Sequence, residues 1–301
     1  MRDGVDKGVF GTREDGAVFV DLEAEKLGTK VLLRADGTSV YIVQDLYLAL
    51  LKDKDFAYDK SYYVVGNEQD HHFAQLIAIF KKLGYDVAGK MKHLSYGMVE
   101  LPEGKMKSRE GTVVDADDLI RETQNLAKQE IVERFEGLPQ DQVEDRSLKI
   151  ALAAIKYQLL KVDIAKNMVF DPKKAISFEG DTGPYLLYSY ARASSIMRKA
   201  GNAGKTDIPA IPAELAPGEI KLLKKIAFFP TAVGYAHDRL SPSVITNYAF
   251  ELAQTFNEFY HAHQVIGSGD VENFRVSVVS AFRTVVGKCL TLLGIEAIEE
   301  M

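Results

Sequence analysis

The apolar residues of this chain change their spacing once, near Asp117. Before that point short β-prone runs alternate with helical stretches. After it a 3.6-residue repeat takes over and runs to the end. A strand face and a helix stripe bury their apolar residues by different geometries. A chain written this way is expected to hold an α/β part followed by an all-α part.

In the first part, Ala17-Val18-Phe19-Val20 and Lys30-Val31-Leu32-Leu33 read as hairpin strands. Glu14-Asp15-Gly16 and Ala35-Asp36-Gly37 bound them, and Asp-Gly is a strong turn signal. Val40-Tyr41-Ile42-Val43 reads as a further strand, with a helix from Asp45 to Lys52. Ser61–Gly66 is a buried-type strand that feeds a helix with Phe73, Leu76, Ile77, Phe80 and Leu83 on one stripe, closed by Gly84. Further strand material lies between Val87 and Val99. This alternation suggests part of a parallel sheet, whose ligands gather at the carboxyl ends of strands. Asp45, Gln69 and a basic run at Lys105–Arg109 all follow strand ends.

In the second part, Asp117-Asp118 opens one helix and Ser147–Lys161 forms another. Asp181-Thr182-Gly183-Pro184 reads as a cap followed by Pro early in the first turn of a tyrosine-rich helix reaching Lys199. After a polar break come helices at Glu219–Phe229, Ser241–Ile266 and Asp270–Leu293, a bundle.

Charge and cysteine content exclude several classes. The formal net charge of −6 argues against indiscriminate nucleic-acid binding. Locally, Lys81 to Glu110 holds seven Lys/Arg against four acids. Lys105, Lys107, Ser108 and Arg109 sit between Gly104 and Gly111, a composition suited to phosphate oxygens, although such a run taken alone is more often a solvated turn. Cys289 is the single cysteine, so disulfides and cysteine metal sites are excluded and a reducing, cytoplasmic setting is expected. No zinc site is expected for His71 or His72, because no third ligand stands at a suitable spacing. His261 and His263 read as surface or core polar residues. The polar start Met1-Arg2-Asp3-Gly4 is no signal peptide, and no apolar run approaches bilayer length, so no membrane partner is expected.

Five segments in order resemble arginyl-tRNA synthetase, a class I enzyme, over nearly the whole chain. They are Asp36-Gly37-Thr38 through Tyr41 to Asp45, Gln69-Asp70-His71-His72-Phe73, the basic run, Asp181-Thr182-Gly183-Pro184-Tyr185 through Arg192, and the tail Leu292–Met301. The resemblance implies an incomplete Rossmann-like catalytic domain with a C-terminal helical anticodon-binding bundle. The implied parts are the second half of the catalytic domain at 1–116, a helical connection at 117–180 and the anticodon-binding domain at 181–301. The partners it implies are tRNA-Arg, L-arginine and ATP with Mg2+, with no tightly bound cofactor and a monomeric full-length enzyme.

The resemblance also assigns residues. Tyr41, Asp45 and Gln69 would surround the arginine side chain, whose fixed fork of donors suits a carboxylate. Read without the resemblance, Asp45 is better taken as a helix N-cap. His72 is placed near the ATP base, the alternative being a partly buried helix histidine. Lys105 and Arg109, with Lys107 and Ser108, would stabilise charge on the triphosphate. Position 107 is Lys where the family signature has Ser, and position 110 is Glu where Lys is frequent. Tyr185, Tyr188, Phe256, Tyr260 and Met301 are candidates for gripping the anticodon, although tyrosine and phenylalanine at helical spacing are often core.

The His-x-Gly-His signature of class I enzymes does not occur in these 301 residues. The chain therefore reads as a C-terminal fragment of a longer ligase. The rival readings are a non-catalytic tRNA-binding or regulatory module, and an unrelated nucleotide-binding protein with a helical cap. The 301 residues alone are expected to give no arginine-dependent ATP–pyrophosphate exchange; exchange clearly above background would overturn that expectation.

Overall fold

The computed structural model describes residues 1–102, 115–134, 137–201 and 211–301. The chain divides into two compact units. One is Met1–Met98 with Ala165–Asn167, the other Val99–Ile164 with Met168–Met301.

The first unit opens with a short helix, α1 (Arg2–Asp6), and an antiparallel sheet of β1 (Phe10–Thr12), β2 (Val18–Asp21) and β3 (Thr29–Leu33) in that order. Phe10 lies opposite Val20, and Val20 opposite Lys30. The Asp-Gly turns form as the sequence indicates. Asp15 accepts from the Ala17 amide, and Asp36 accepts from the Thr38 amide, both at 2.9 Å.

The expected strand at 40–43 is not a strand. Val40 caps α2 (Tyr41–Phe56), which runs four residues earlier and four later than the expected Asp45–Lys52 helix. The β-branched run reads as a strand locally. Burial of Ile42, Leu46 and Ala49 on one helical stripe overrides that propensity.

β4 (Ser61–Gly66) and β5 (Met91–Tyr96) pair in parallel, with Tyr63 opposite His93 and Val65 opposite Ser95. Their crossover is α3 (Asp70–Leu83), followed after Gly84 by the single turn α4 (Val87–Lys90). Of the expected α3 stripe, Phe73, Leu76, Phe80 and Leu83 are buried, whereas Ile77 is half-buried and Ile79 takes the fully buried place. Each such side chain contributes about 1.5–3 kcal/mol. The returning segment 165–167 closes this unit. Asn167 Oδ1 accepts from the Met98 amide at 2.8 Å and from Asn67 Nδ2 at 3.0 Å. A Cβ at Gly97 would sit 2.1 Å from the Lys166 carbonyl oxygen, so the close approach requires glycine.

The second unit begins with a two-residue parallel pair, β6 (Val99–Glu100) with β7 (Met168–Val169). Between them lies the hairpin of α5 (Ala116–Arg134) and α6 (Gln140–Leu160). After the turn α7 (Pro172–Ala175) comes a bundle of α8 (Gly183–Ala200), α9 (Pro217–Ala227), α10 (Phe229–Arg239), α11 (Ser243–Ala262) and α12 (Glu272–Leu292). Thr182 caps α8 by accepting from the Tyr185 amide at 3.2 Å, as read from the sequence. A Cβ at Gly183 would lie 2.2 Å from the Ala153 carbonyl oxygen, so the start of α8 lies directly against α6.

Helix α10 has no counterpart in the sequence reading. Pro230 falls in the first turn, where a missing N–H costs nothing.

One buried carboxylate ties α9 to α12. Glu219 is 3% exposed, accepts from the Ala216 amide and from Arg275 Nε, each at 2.8 Å, and completes the start of α9. Burial would raise its carboxyl, but the Arg275 and Ala216 bonds outweigh burial and hold it below the usual carboxylate range. A depressed carboxylate contributes stability that is present above its unfolded value and lost as pH falls through the lower folded one. Glu219→Ala should cost about 3–5 kcal/mol at pH 7 by urea unfolding, because it leaves Arg275 unpaired. The deficit should shrink as the pH is lowered below the ordinary glutamate range; a pH-independent deficit would exclude the charged pair as its source.

Candidate functional sites

In the first unit the structure joins two of the residues picked from the sequence. Asp45 lies in the second turn of α2 and His72 in the first turn of α3, and His72 Nε2 stands 2.7 Å from Asp45 Oδ2. Asp45 is no helix cap, since Val40 holds that position. Its Oδ1 has no hydrogen-bond partner among the described residues, and the side chain is 41% exposed. A carboxylate with one oxygen held and the other open can take a donor from a ligand.

Tyr41 stands one helical turn before Asp45 and projects into solvent, 82% exposed. Gln69 ends a short 3-10 turn after β4 and is exposed, three residues before His72. Lys105, Lys107, Ser108 and Arg109 lie outside the described residues.

Beside this pair stands a residue the sequence reading passed over as strand material. His93 stacks on Phe73 with ring centroids 4.3 Å apart. Its Nε2 donates to the Val65 carbonyl at 3.0 Å, and its Nδ1 is 3.4 Å from Asp70. The hydroxyls of Tyr63 and Ser95 are buried without a hydrogen-bond partner among the described residues. All three side chains alternate onto one face of the β4–β5 pair. The available signal was polar residues at every second position of a strand, His93 and Ser95.

In the second unit a cavity of about 1080 Å³ opens where α6, α8, the end of α11 and the tail meet. Tyr188, Tyr260 and Met301 line it. The guanidinium of Arg192 stands between the two tyrosines, 4.6 Å from the Tyr188 ring centre and 5.3 Å from that of Tyr260. It donates to the Tyr188 hydroxyl at 2.9 Å and to Asn257 Oδ1 at 2.5 Å. Tyr185 stands behind this group. Its hydroxyl accepts from Asn257 Nδ2 at 2.8 Å, which fixes the amide that holds Arg192.

Phe256 is a different case. It is fully buried and stacks on Phe282 with centroids 3.8 Å apart, so it belongs to the core and has no face for a ligand. Its seam on α11 looks inward, while Tyr260, one turn later, reaches the rim.

The sequence reading did not single out Arg192, nor did it expect a ligand at His261 and His263, which also line the cavity. Arg146, Arg198 and Lys199 add charge, against Glu300 as the acid in the lining. The signal for Arg192 was its place one turn after Tyr188 on the same helix. Among the described residues no group of three His, Cys, Asp or Glu side chains could hold a metal ion, and no helix is long and apolar enough to cross a membrane.

The family model described as "tRNA synthetases class I (R), catalytic domain" matches residues 3–172, and that described as "DALR anticodon binding domain" matches 186–301. The fold is thus that of a class I aminoacyl-tRNA synthetase portion. Most of the cavity lining falls within the stretch matched by the anticodon binding domain, while Leu138, Gln142 and Arg146 fall within the catalytic-domain match. The chain is 46% identical to an arginine–tRNA ligase of Bacteroides thetaiotaomicron, across 100% of this chain and 51% of that protein. Among solved structures it is similar to arginyl-tRNA synthetase of Thermus thermophilus, with a TM-score of 0.86 and 27% identity over 100% of this chain and 57% of that one. The Plasmodium falciparum arginyl-tRNA synthetase shares the fold, with a TM-score of 0.80 at 23% identity over 99% of this chain and 51% of that one. The chain belongs to the arginyl-tRNA synthetase family and spans about half the length of the curated relatives it matches.

The two aromatic residues of α11 should separate cleanly on substitution. Phe256→Ala should lower unfolding free energy by about 3–5 kcal/mol, as a core truncation does. Tyr260→Ala should change it by no more than about 1 kcal/mol. Urea melts of both variants check this, and equal losses would contradict the assignment.

Proposed function

We propose that this chain is the part of an arginine–tRNA ligase that reads the tRNA anticodon and supplies one side of the arginine and ATP site. The enzyme joins arginine to ATP with release of pyrophosphate, then passes the arginyl group to the 3′ end of tRNA-Arg. It acts as a cytoplasmic monomer, and Mg2+ arrives with the triphosphate.

The observation that carries the reading is the Tyr188–Arg192–Tyr260 stack at a cavity with four Arg/Lys in its lining. Unstacked bases of a single-stranded loop bind on aromatic rings and guanidinium planes, and their phosphates bind to cations. The bond from Asn257 presets Arg192, so little side-chain freedom is lost when a base arrives. Met301 offers an apolar contact beside the same rings.

In the first unit, Asp45 takes the guanidinium of arginine on its open oxygen. His72 holds the other oxygen and so orients the carboxylate, with Tyr41 and Gln69 as flanking polar contacts. This gives His72 a role in arginine recognition in addition to a place near the ATP base. Lysine, a compact cation without the fork, would satisfy the same acceptor poorly. The basic run from Lys105 to Arg109 meets the triphosphate.

Fluorescence anisotropy with an RNA stem-loop carrying an arginine anticodon tests the anticodon reading on the 301-residue chain. The stem-loop should bind more tightly than one with a swapped anticodon, and Tyr260→Ala or Arg192→Ala should weaken it about tenfold or more. Equal affinity for both stem-loops would rule the reading out.

A further inference from the structure

We propose that Glu299 is a positioning residue, which holds Met301 in the cavity wall and keeps the acids of the tail away from bound RNA. The inference rests on the anticodon reading of that cavity.

The tail that follows α12 is fixed in two ways. Leu293, Ile295 and Ile298 are buried in the bundle core. Beyond Ile298, Met301 is half-buried against the same core, and the other anchors are polar. Glu299 Oε1 accepts from Arg283 at 2.6 Å and from the Tyr190 hydroxyl at 3.1 Å. Arg283 is itself held, because its Nε donates to Ser194 Oγ at 2.8 Å and its guanidinium lies 5.3 Å from the Tyr190 ring centre. Arg198 donates to the Glu299 main-chain oxygen at 3.2 Å and pairs with Glu300 at 3.3 Å.

These bonds fix the direction of the last residues. Three residues of free chain reach about 10 Å, enough to carry Met301 from its place in the wall. The bonds also set the charge. Glu300 lines a cavity that would receive phosphodiesters, and Glu299 directly precedes it, so a free carboxylate on this tail would repel them. Arg283 and Arg198 turn both acids into ion pairs. Burial would raise the Glu299 carboxyl, but the Arg283 and Tyr190 bonds outweigh it and hold the group below the usual range, in its charged form. A surface ion pair adds little to folding stability. The effect of releasing Glu299 is therefore expected in the position of the tail and not in the melting temperature.

A double-mutant cycle on the 301-residue chain tests this, with the arginine-anticodon stem-loop as probe. Glu299→Ala should weaken binding about threefold to tenfold with an unchanged melting temperature. Glu299→Gln keeps an acceptor oxygen and should fall between Ala and the parent. In a Met301→Ala background, Glu299→Ala should add less than it does alone, since the residue it positions is gone. Full additivity, or no loss on Glu299→Ala, would overturn the proposal. Methionine-methyl NMR reads the tail position without RNA: Glu299→Ala should shift the Met301 methyl toward its random-coil position and leave the other methionines in place. An unmoved Met301 methyl would refute the positioning role itself. Absence of RNA binding by the parent chain would instead refute the anticodon reading on which the proposal rests.

Discussion

The helical unit depends on the way α8 is seated. Tyr157 of α6 is fully buried, and its hydroxyl donates to Asp181 at 2.5 Å, just before the Thr182 cap. Lys161 donates to the Asp181 main-chain oxygen at 3.0 Å. A Cβ at Gly183 would clash with Ala153, so the first residue of α8 can lie directly on α6. A buried phenol without an acceptor would be costly, and the same hydrogen bond fixes where α8 begins. That start sets the phase of every later residue on the helix. Tyr185, Tyr188 and Arg192 follow along the helix toward the cavity, while Ser194 and Arg198 meet Arg283 and the tail.

The cavity is therefore assembled from two layers. The inner layer is Tyr185, Ser189 and Asn257, which satisfy each other and present one amide oxygen outward. The outer layer is Arg192 between its two tyrosines. A guanidinium held this way keeps its plane and charge in place before any ligand arrives, which is the condition for selective stacking with little ordering cost. The arrangement also explains why Tyr185 and Tyr188, three residues apart, differ in kind. One is a support and the other a wall.

Much of the fold was legible in the sequence. The α3 stripe, the Thr182-Gly183-Pro184 start of α8, and the long repeats of α11 and α12 formed close to their expected limits. Strong periodicity with good end signals leaves few alternatives. At Tyr41–Val43 local β-propensity pointed to a strand, and packing of Ile42, Leu46 and Ala49 made a helix. Helix α10 was not expected from the sequence, and its proline lies in the first turn, where it is compatible with a helix. Of the site residues, Asp45 and His72 could be picked as types, but their mutual contact could not be read from positions 27 residues apart.

By itself the sequence determined the order of the two parts, the family resemblance, and the residue types that suit arginine and RNA. These follow from local patterns, which short stretches of chain carry intact. Only the tertiary structure decided which aromatic residues face outward. Phe256 and Tyr260 stand one helical turn apart on α11 with similar local surroundings, yet Phe256 meets Phe282 and Tyr260 meets Arg192. Which side of a helix stripe ends and becomes the rim of a cavity is set by neighbouring helices distant in sequence. That information is held in packing, where no residue's own neighbours along the chain record it.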